Sequence, residues 1–283
     1  MRLGTVSVPH EATGVIELAR IEMHVAHSCN LACESCAHFS NQGHKGLTSL
    51  EEAERWMASW APRIALNEFS LMGGEPAIHP NFPEFLPLVR RHWPDARIRL
   101  VSNGFLLARH PDLPRVMAEL GNVRLYVSIH HDSPAYTERL RPTMEMLDEW
   151  RANYNIWIGT YASAKKWTRR YLGEGSAMRP YADGLPDQSW EKCPARFCMQ
   201  LFEGALWKCP PLAYLRMQHE KYKLDDIWAP YLAYEALQPD CSEAELRAFL
   251  ARKAEKVCGM CPAEPERFDL PIPIHSERRR EAS

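Results

Sequence analysis

Over residues 18–160 the chain repeats one pattern, a short alternating apolar run followed by about 10 to 15 residues with helical spacing. Strands are predicted at 18–25, 68–72, 98–101, 123–129 and 154–160, with helices at about 50–60, 82–92, 112–120 and 134–150. In the first strand Ile21, Met23 and Val25 share a face, and Thr48 with Glu51 forms a capping box for the first helix. Such alternation calls for βα units around a parallel sheet, in which functional loops gather at the carboxyl ends of the strands. Periodicity alone leaves a barrel and a doubly wound sheet both open.

The loop after the first strand reads His27-Ser-Cys-Asn-Leu-Ala-Cys-Glu-Ser-Cys-Ala-His38, so Cys29, Cys33 and Cys36 form a C-x3-C-x2-C run. Three thiolates on one loop can hold three irons of a [4Fe-4S] cube and leave the fourth open to a second molecule. Structural zinc takes four ligands, which the loop reaches only if His27 or His38 joins the cysteines. The next predicted strand runs into Gly73-Gly74-Glu75-Pro76, where glycines permit close backbone approach and proline stiffens the exit. Later strand ends carry Ser102-Asn103-Gly104, Ser128 and His130-His131. Ser, Asn and Gly also favour ordinary turns, and a histidine there is as often a turn residue as a substrate contact.

A chain of 283 residues with 46% hydrophobic content can bury one large core and a smaller appendage. Its formal charge of -2 offers no global electrostatic case for nucleic acid or an anionic membrane surface. The first twenty residues lack a signal-peptide apolar stretch, no run of about 18 apolar residues occurs, and the nine cysteines sit at metal-like spacings. A soluble protein in a reducing cytoplasm is the expectation.

The cysteine loop and the Gly-Gly-Glu-Pro segment together resemble the radical S-adenosylmethionine (SAM) superfamily. The resemblance implies an α/β fold, a partial (β/α)6 TIM-type barrel, with a SAM-binding [4Fe-4S] cluster on Cys29, Cys33 and Cys36. It implies SAM contacts from Gly73, Gly74 and Glu75, and from Ser102, Asn103 and Ser128 near the SAM carboxylate and ribose. It also implies reductive cleavage of SAM to a 5'-deoxyadenosyl radical and a flavodoxin- or ferredoxin-type electron donor. Where the superfamily often has an aromatic residue before the third cysteine, this chain has Ser35, and Phe39 is the candidate replacement.

A second group, Cys193, Cys198, Cys209, Cys258 and Cys261, follows the barrel-like region. Residues 197–209 alternate around Glu203-Gly204 and read as a hairpin that returns Cys209 to Cys193. The spacing Cys193-x10-Gly204-x4-Cys209, then Cys258-Gly-Met-Cys261, resembles the SPASM or shorter twitch extension. That resemblance implies one auxiliary [4Fe-4S] cluster on Cys193, Cys209, Cys258 and Cys261, with zinc as the structural alternative. Cys198 competes with Cys193, stays a free thiol, or acts catalytically as a hydrogen-atom donor; Cys241 stands alone near a helix start.

The expected domains are an N-terminal segment (1–17), a radical SAM core (18–185), a twitch-like C-terminal domain (186–265) and a tail (266–283) that ends in a charge run. The expected reaction is hydrogen abstraction from a small polar metabolite of amino sugar or cyclitol type, with the auxiliary cluster taking the second electron. A redox-neutral epimerase with Cys198 or Cys241 as donor is one alternative. A peptide maturase acting on a precursor peptide is another; only 28 residues precede Cys29, so it would need a separate recognition protein.

Overall fold

The computed structural model describes residues 14–271; the N-terminal 13 residues and the charge run at 277–281 lie outside them. Seven strands form one unclosed sheet in the order β5-β4-β3-β2-β1-β6-β7. Strands β1 (Ile16–Ala26), β2 (Ile64–Gly73), β3 (Arg97–Ser102), β4 (Val123–Ile129) and β5 (Trp157–Ala162) are parallel neighbours. Helices α1 (Leu50–Trp60), α2 (Phe85–His92), α3 (Leu113–Leu120) and α4 (Pro134–Tyr154) connect them. This is the expected α/β architecture, a sheet curved like part of a TIM barrel.

The two faces of the sheet differ in chemistry. Ile21, Met23 and Val25 of β1 are fully buried and join Phe69, Leu71, Ile98, Leu100 and Leu125 in the main core under the helices. The alternate positions point the other way and are polar: Arg20, Glu22, Glu68 and Arg99. Arg20 Nε donates to Glu68 at 2.7 Å, and Arg99 lies 3.9 Å from Glu22. An unclosed sheet with a charged inner face encloses a polar lumen.

The sixth parallel position is filled by a strand from much later in the chain. Hairpin strands β6 (Gln200–Phe202) and β7 (Ala205–Trp207) dock on the free edge of β1, where Glu22 N donates to Met199 O at 2.8 Å. Glu203 and Gly204 both have positive φ, 52° and 77°, the backbone of a tight two-residue hairpin turn. Helices α5 (Pro186–Lys192) and α6 (Pro210–Tyr222) flank this hairpin, and a second core forms around Tyr171, Met178, Trp207, Tyr214 and Trp228.

Several element boundaries differ from expectation. The capping box of α1 is Ser49 with Glu52, one residue on from Thr48 and Glu51, because Thr48 Oγ1 instead donates to His24 O at 2.8 Å. Tyr154 closes α4, since Asn155 supplies the left-handed cap (φ 51°) before β5 begins. Strand β1 starts at Ile16, inside the expected leader. The start of the expected tail is packed: Arg267 bridges to Thr168, and Leu270 is buried against Leu31 and Cys33.

Candidate active site

Cys29, Cys33 and Cys36 border a cavity of about 180 Å³ at the carboxyl ends of the parallel strands, together with Gly73, Gly74, Ser102, Asn103 and Ser128. Leu31 N donates to Cys29 Sγ at 3.4 Å and Asn103 Nδ2 at 3.7 Å, contacts of the kind that tune a cluster thiolate. Burial pushes the Cys29 and Cys36 thiols above the usual range, so without metal they hold their protons. His130 borders the cavity and places Nδ1 3.4 Å from Cys33 Sγ, with Nε2 2.9 Å from Ser128 Oγ. His131 is absent from its lining.

The glycines of the Gly-Gly-Glu-Pro turn serve the neighbouring strand as well as the cavity. A Cβ on Gly73 would sit 2.3 Å from Ala26 O, and one on Gly74 2.3 Å from Ser28 O. Gly74 N donates to Ala26 O at 2.8 Å and Glu75 N to Ser28 O at 2.9 Å, which fastens the cysteine loop to the end of β2. Only glycine allows that contact.

Glu75 does not line the cavity; its carboxylate is fully buried and accepts from Ser102 Oγ (2.7 Å), Asn103 N (2.7 Å) and Ala77 N (3.1 Å). Burial pushes its carboxyl up to about 7 against the pull of these donors. Glu75 thus locks the exits of β2 and β3 in register. Phe39 also points away from the cavity, into the second core against Tyr171. Trp167, Tyr161 and His38, which sequence reasoning left out or gave other work, line it instead.

The later cysteines separate into two places. Cys193, Cys209, Cys258 and Cys261 border one cavity of about 450 Å³, and Cys198 is not among its lining residues. Cys209 caps the amino end of α6 and Cys193 the carboxyl end of α5, while Cys258 and Cys261 lie on one 3-10 turn. Burial, reinforced by the neighbouring thiols, pushes Cys261 up to about 12 and raises Cys209 well above the usual thiol range. A cube bound by four thiolates is a net anion, and Arg20, Arg196, Lys208, Arg252 and Lys253 line the same cavity with one carboxylate, Glu255, which pairs with Lys208 and Arg252. The donor set and its surroundings fit such a group. Among the described residues no three His, Cys, Asp or Glu side chains are placed to hold a single metal ion.

Between these two cavities lies a chamber of about 360 Å³. It shares His38, Met72, Val101, Tyr161, Ser163 and Trp167 with the first cavity and Arg20 with the second. Cys198 and Glu22 face it. Glu22 accepts from Gln200 Nε2 at 2.8 Å and lies within electrostatic reach of Cys198; burial raises its carboxyl, opposed by Gln200, Arg99 and Arg20. Cys241 lies elsewhere, at the amino ends of the strands beside Arg63 at 3.3 Å, too remote to donate hydrogen in the chamber.

Residues 23–157 match the family model of the Radical SAM superfamily. The chain carries a radical SAM domain. Such a domain implies a [4Fe-4S] cluster and SAM, and the cavity of Cys29, Cys33 and Cys36 has the donors for them. Curated relatives include the GTP 3',8-cyclase of Sulfurovum sp. (strain NBC37-1), 25% identical over 123 residues, 42% of this chain and 36% of that protein. The GTP 3',8-cyclase of Acidothermus cellulolyticus (strain ATCC 43068 / DSM 8971 / 11B) is 29% identical over 139 residues, 46% of this chain and 37% of that protein. The matched stretch therefore spans little more than a third of either relative's length. Among solved structures, BtrN in complex with AdoMet and 2-DOIA superposes with a TM-score of 0.50 over 90% of this chain and 98% of that one, at 15% identity. That likeness is one of fold. Among the described residues no helix is long and apolar enough to cross a membrane.

Proposed function

We propose that this radical SAM protein is an oxidoreductase that removes hydrogen from a small polar molecule held in the central chamber. The observation that carries the reading is the chamber's position, walled on one side by the Cys29, Cys33 and Cys36 cavity and meeting at Arg20 the cavity of the other four cysteines. When bound, a cluster with SAM in the first cavity supplies the 5'-deoxyadenosyl radical, and an auxiliary [4Fe-4S] cluster in the second supplies a one-electron acceptor.

The chain's own groups account for the rest. Ser102, Asn103, Ser128 and the Gly73-Gly74 backbone line the SAM side, and Glu75 holds two of their strand ends in place. Glu22 is the one carboxylate among the chamber's lining residues, so it accepts the proton that an alcohol loses as its carbon is oxidised. Cys198, within electrostatic reach of Glu22, faces the same space as a thiol and separates two outcomes. If its hydrogen goes to the substrate radical, the thiyl left behind would regain an electron by way of a reduced auxiliary cluster and a proton from solvent, and the reaction is an epimerisation; if it gives up no hydrogen, the product is oxidised.

Anaerobic turnover with candidate polyols, amino sugars and, following the curated relatives' name, GTP tests the reading. A product two mass units lighter per 5'-deoxyadenosine supports dehydrogenation, whereas unchanged mass with one solvent deuterium supports epimerisation through Cys198. A reconstituted protein that makes no 5'-deoxyadenosine with dithionite refutes both. Modification of a peptide in place of any small molecule would assign the chamber to a maturase.

A further inference from the structure

The charge on the chamber wall is lopsided. Arg20, Arg99, Lys166 and Arg170 line it against the single carboxylate of Glu22. Arg20 is engaged by Glu68 at 2.7 Å and lies 3.9 Å from Glu22. Arg99 is 3.9 Å from Glu22 and packs over the Tyr126 ring at 4.9 Å. The side chains of Lys166 and Arg170 form no ion pair or hydrogen bond with any described residue. Both follow β5, and Arg170 is fixed at its backbone, where its N–H donates to Ser35 Oγ at 2.6 Å. Two cations thus line a partly enclosed space with no carboxylate partner among the described residues; Arg170 is also within electrostatic reach of Cys261 on the auxiliary side, whereas nothing described there answers Lys166.

We infer that the chamber takes a small molecule bearing an anionic group, a phosphate monoester or a carboxylate, which Arg170 and Lys166 bind while its reacting carbon faces the SAM side. The inference rests on the chamber being the substrate site proposed above, and it narrows that reading. An unmodified amino sugar would bring a further positive charge to a wall that already has four against one. A sugar acid or sugar phosphate reverses that sign, and a guanidinium matches either group with paired N–H donors.

The test uses the anaerobically reconstituted full chain with SAM present, titrated calorimetrically with glucose 6-phosphate, glucuronate and glucosamine. Glucose 6-phosphate or glucuronate should bind at millimolar concentration or below, glucosamine should not, and the tighter anion identifies the group. Arg170→Ala should weaken anion binding by roughly tenfold to a hundredfold, the loss of a charged hydrogen bond. Lys166→Glu, at an exposed side chain that a variant tolerates, should do likewise without touching the core. Glucosamine binding as tightly as the anions, equal anion affinity in wild type and Lys166→Glu, no anion binding at millimolar concentration, or displacement of SAM by the anion would each overturn the inference. A wild-type protein that neither holds iron nor cleaves SAM instead refutes the proposed function, so the two failures are distinguishable.

Discussion

Two buried groups show how single residues set the site's stability. Glu75 faces three donors and no described acceptor, so Glu75→Gln turns one of those contacts into donor against donor. An unsatisfied buried group costs about 1–3 kcal/mol, and the apoprotein melting temperature should fall by several degrees; an unchanged melting point would remove Glu75 as the lock between β2 and β3. His24 is 1% exposed, stacks on Tyr214 at 4.1 Å and has neither ring nitrogen hydrogen-bonded to a described residue. Burial, with His38 and His27 nearby, holds it well below the usual histidine range. A folded value below the unfolded one means that the unfolded chain binds the proton first, so this contribution is full above about pH 6.5 and is lost as pH falls below it. His24→Phe, which keeps the ring stack, should therefore soften the acid limb of a denaturation profile; an identical limb would contradict the neutral, unpartnered imidazole. The cysteines of the first loop were legible because 29, 33 and 36 are local to one turn. The work of Glu75 was not, since its partners lie 2 to 28 residues further along the chain.

At the scale of elements, the exits of β1 and β2 touch through glycine. Gly74→Ala puts a methyl 2.3 Å from Ser28 O, backbone that cannot yield, so the cysteine loop must shift. The variant should lose iron from the first site while the β6–β7 side keeps its own; full iron content with normal 5'-deoxyadenosine formation would show that the contact is slack. In the hairpin, Glu203 has φ 52° without glycine's freedom, and Glu203→Asn should stabilise the fold by about 1 kcal/mol, measured by denaturant unfolding. A neutral or destabilising result would mean that Glu203 makes a compensating contact. Turn chemistry of this kind is short-range, which is why the hairpin could be read from Glu203-Gly204. The α1 cap could not be fixed from sequence, because Thr48 with Glu51 and Ser49 with Glu52 obey the same rule. The choice fell to a tertiary contact, Thr48 with His24 O. Strand β6 beside β1 was likewise invisible, since pairing Glu22 with Gln200 is a long-range closure that no local pattern encodes.

The molecule as a whole places a charged chamber between two sets of cysteines that lie far apart in sequence. Strand alternation disclosed the core face of β1, yet the chamber draws its wall from residues as distant as Arg20 and Pro210, so its volume and charge emerge only on folding. The same folding divides the later cysteines, sending Cys198 to the chamber and the other four to their own cavity. The most direct test of this arrangement is the iron content and SAM cleavage of the Cys29→Ala, Cys33→Ala, Cys36→Ala triple variant beside wild type, both reconstituted anaerobically. Two cubes in wild type give about eight irons per chain, and the variant should retain about four, bound by Cys193, Cys209, Cys258 and Cys261, with no 5'-deoxyadenosine formed. An iron-free variant, or one that still cleaves SAM, would contradict the account.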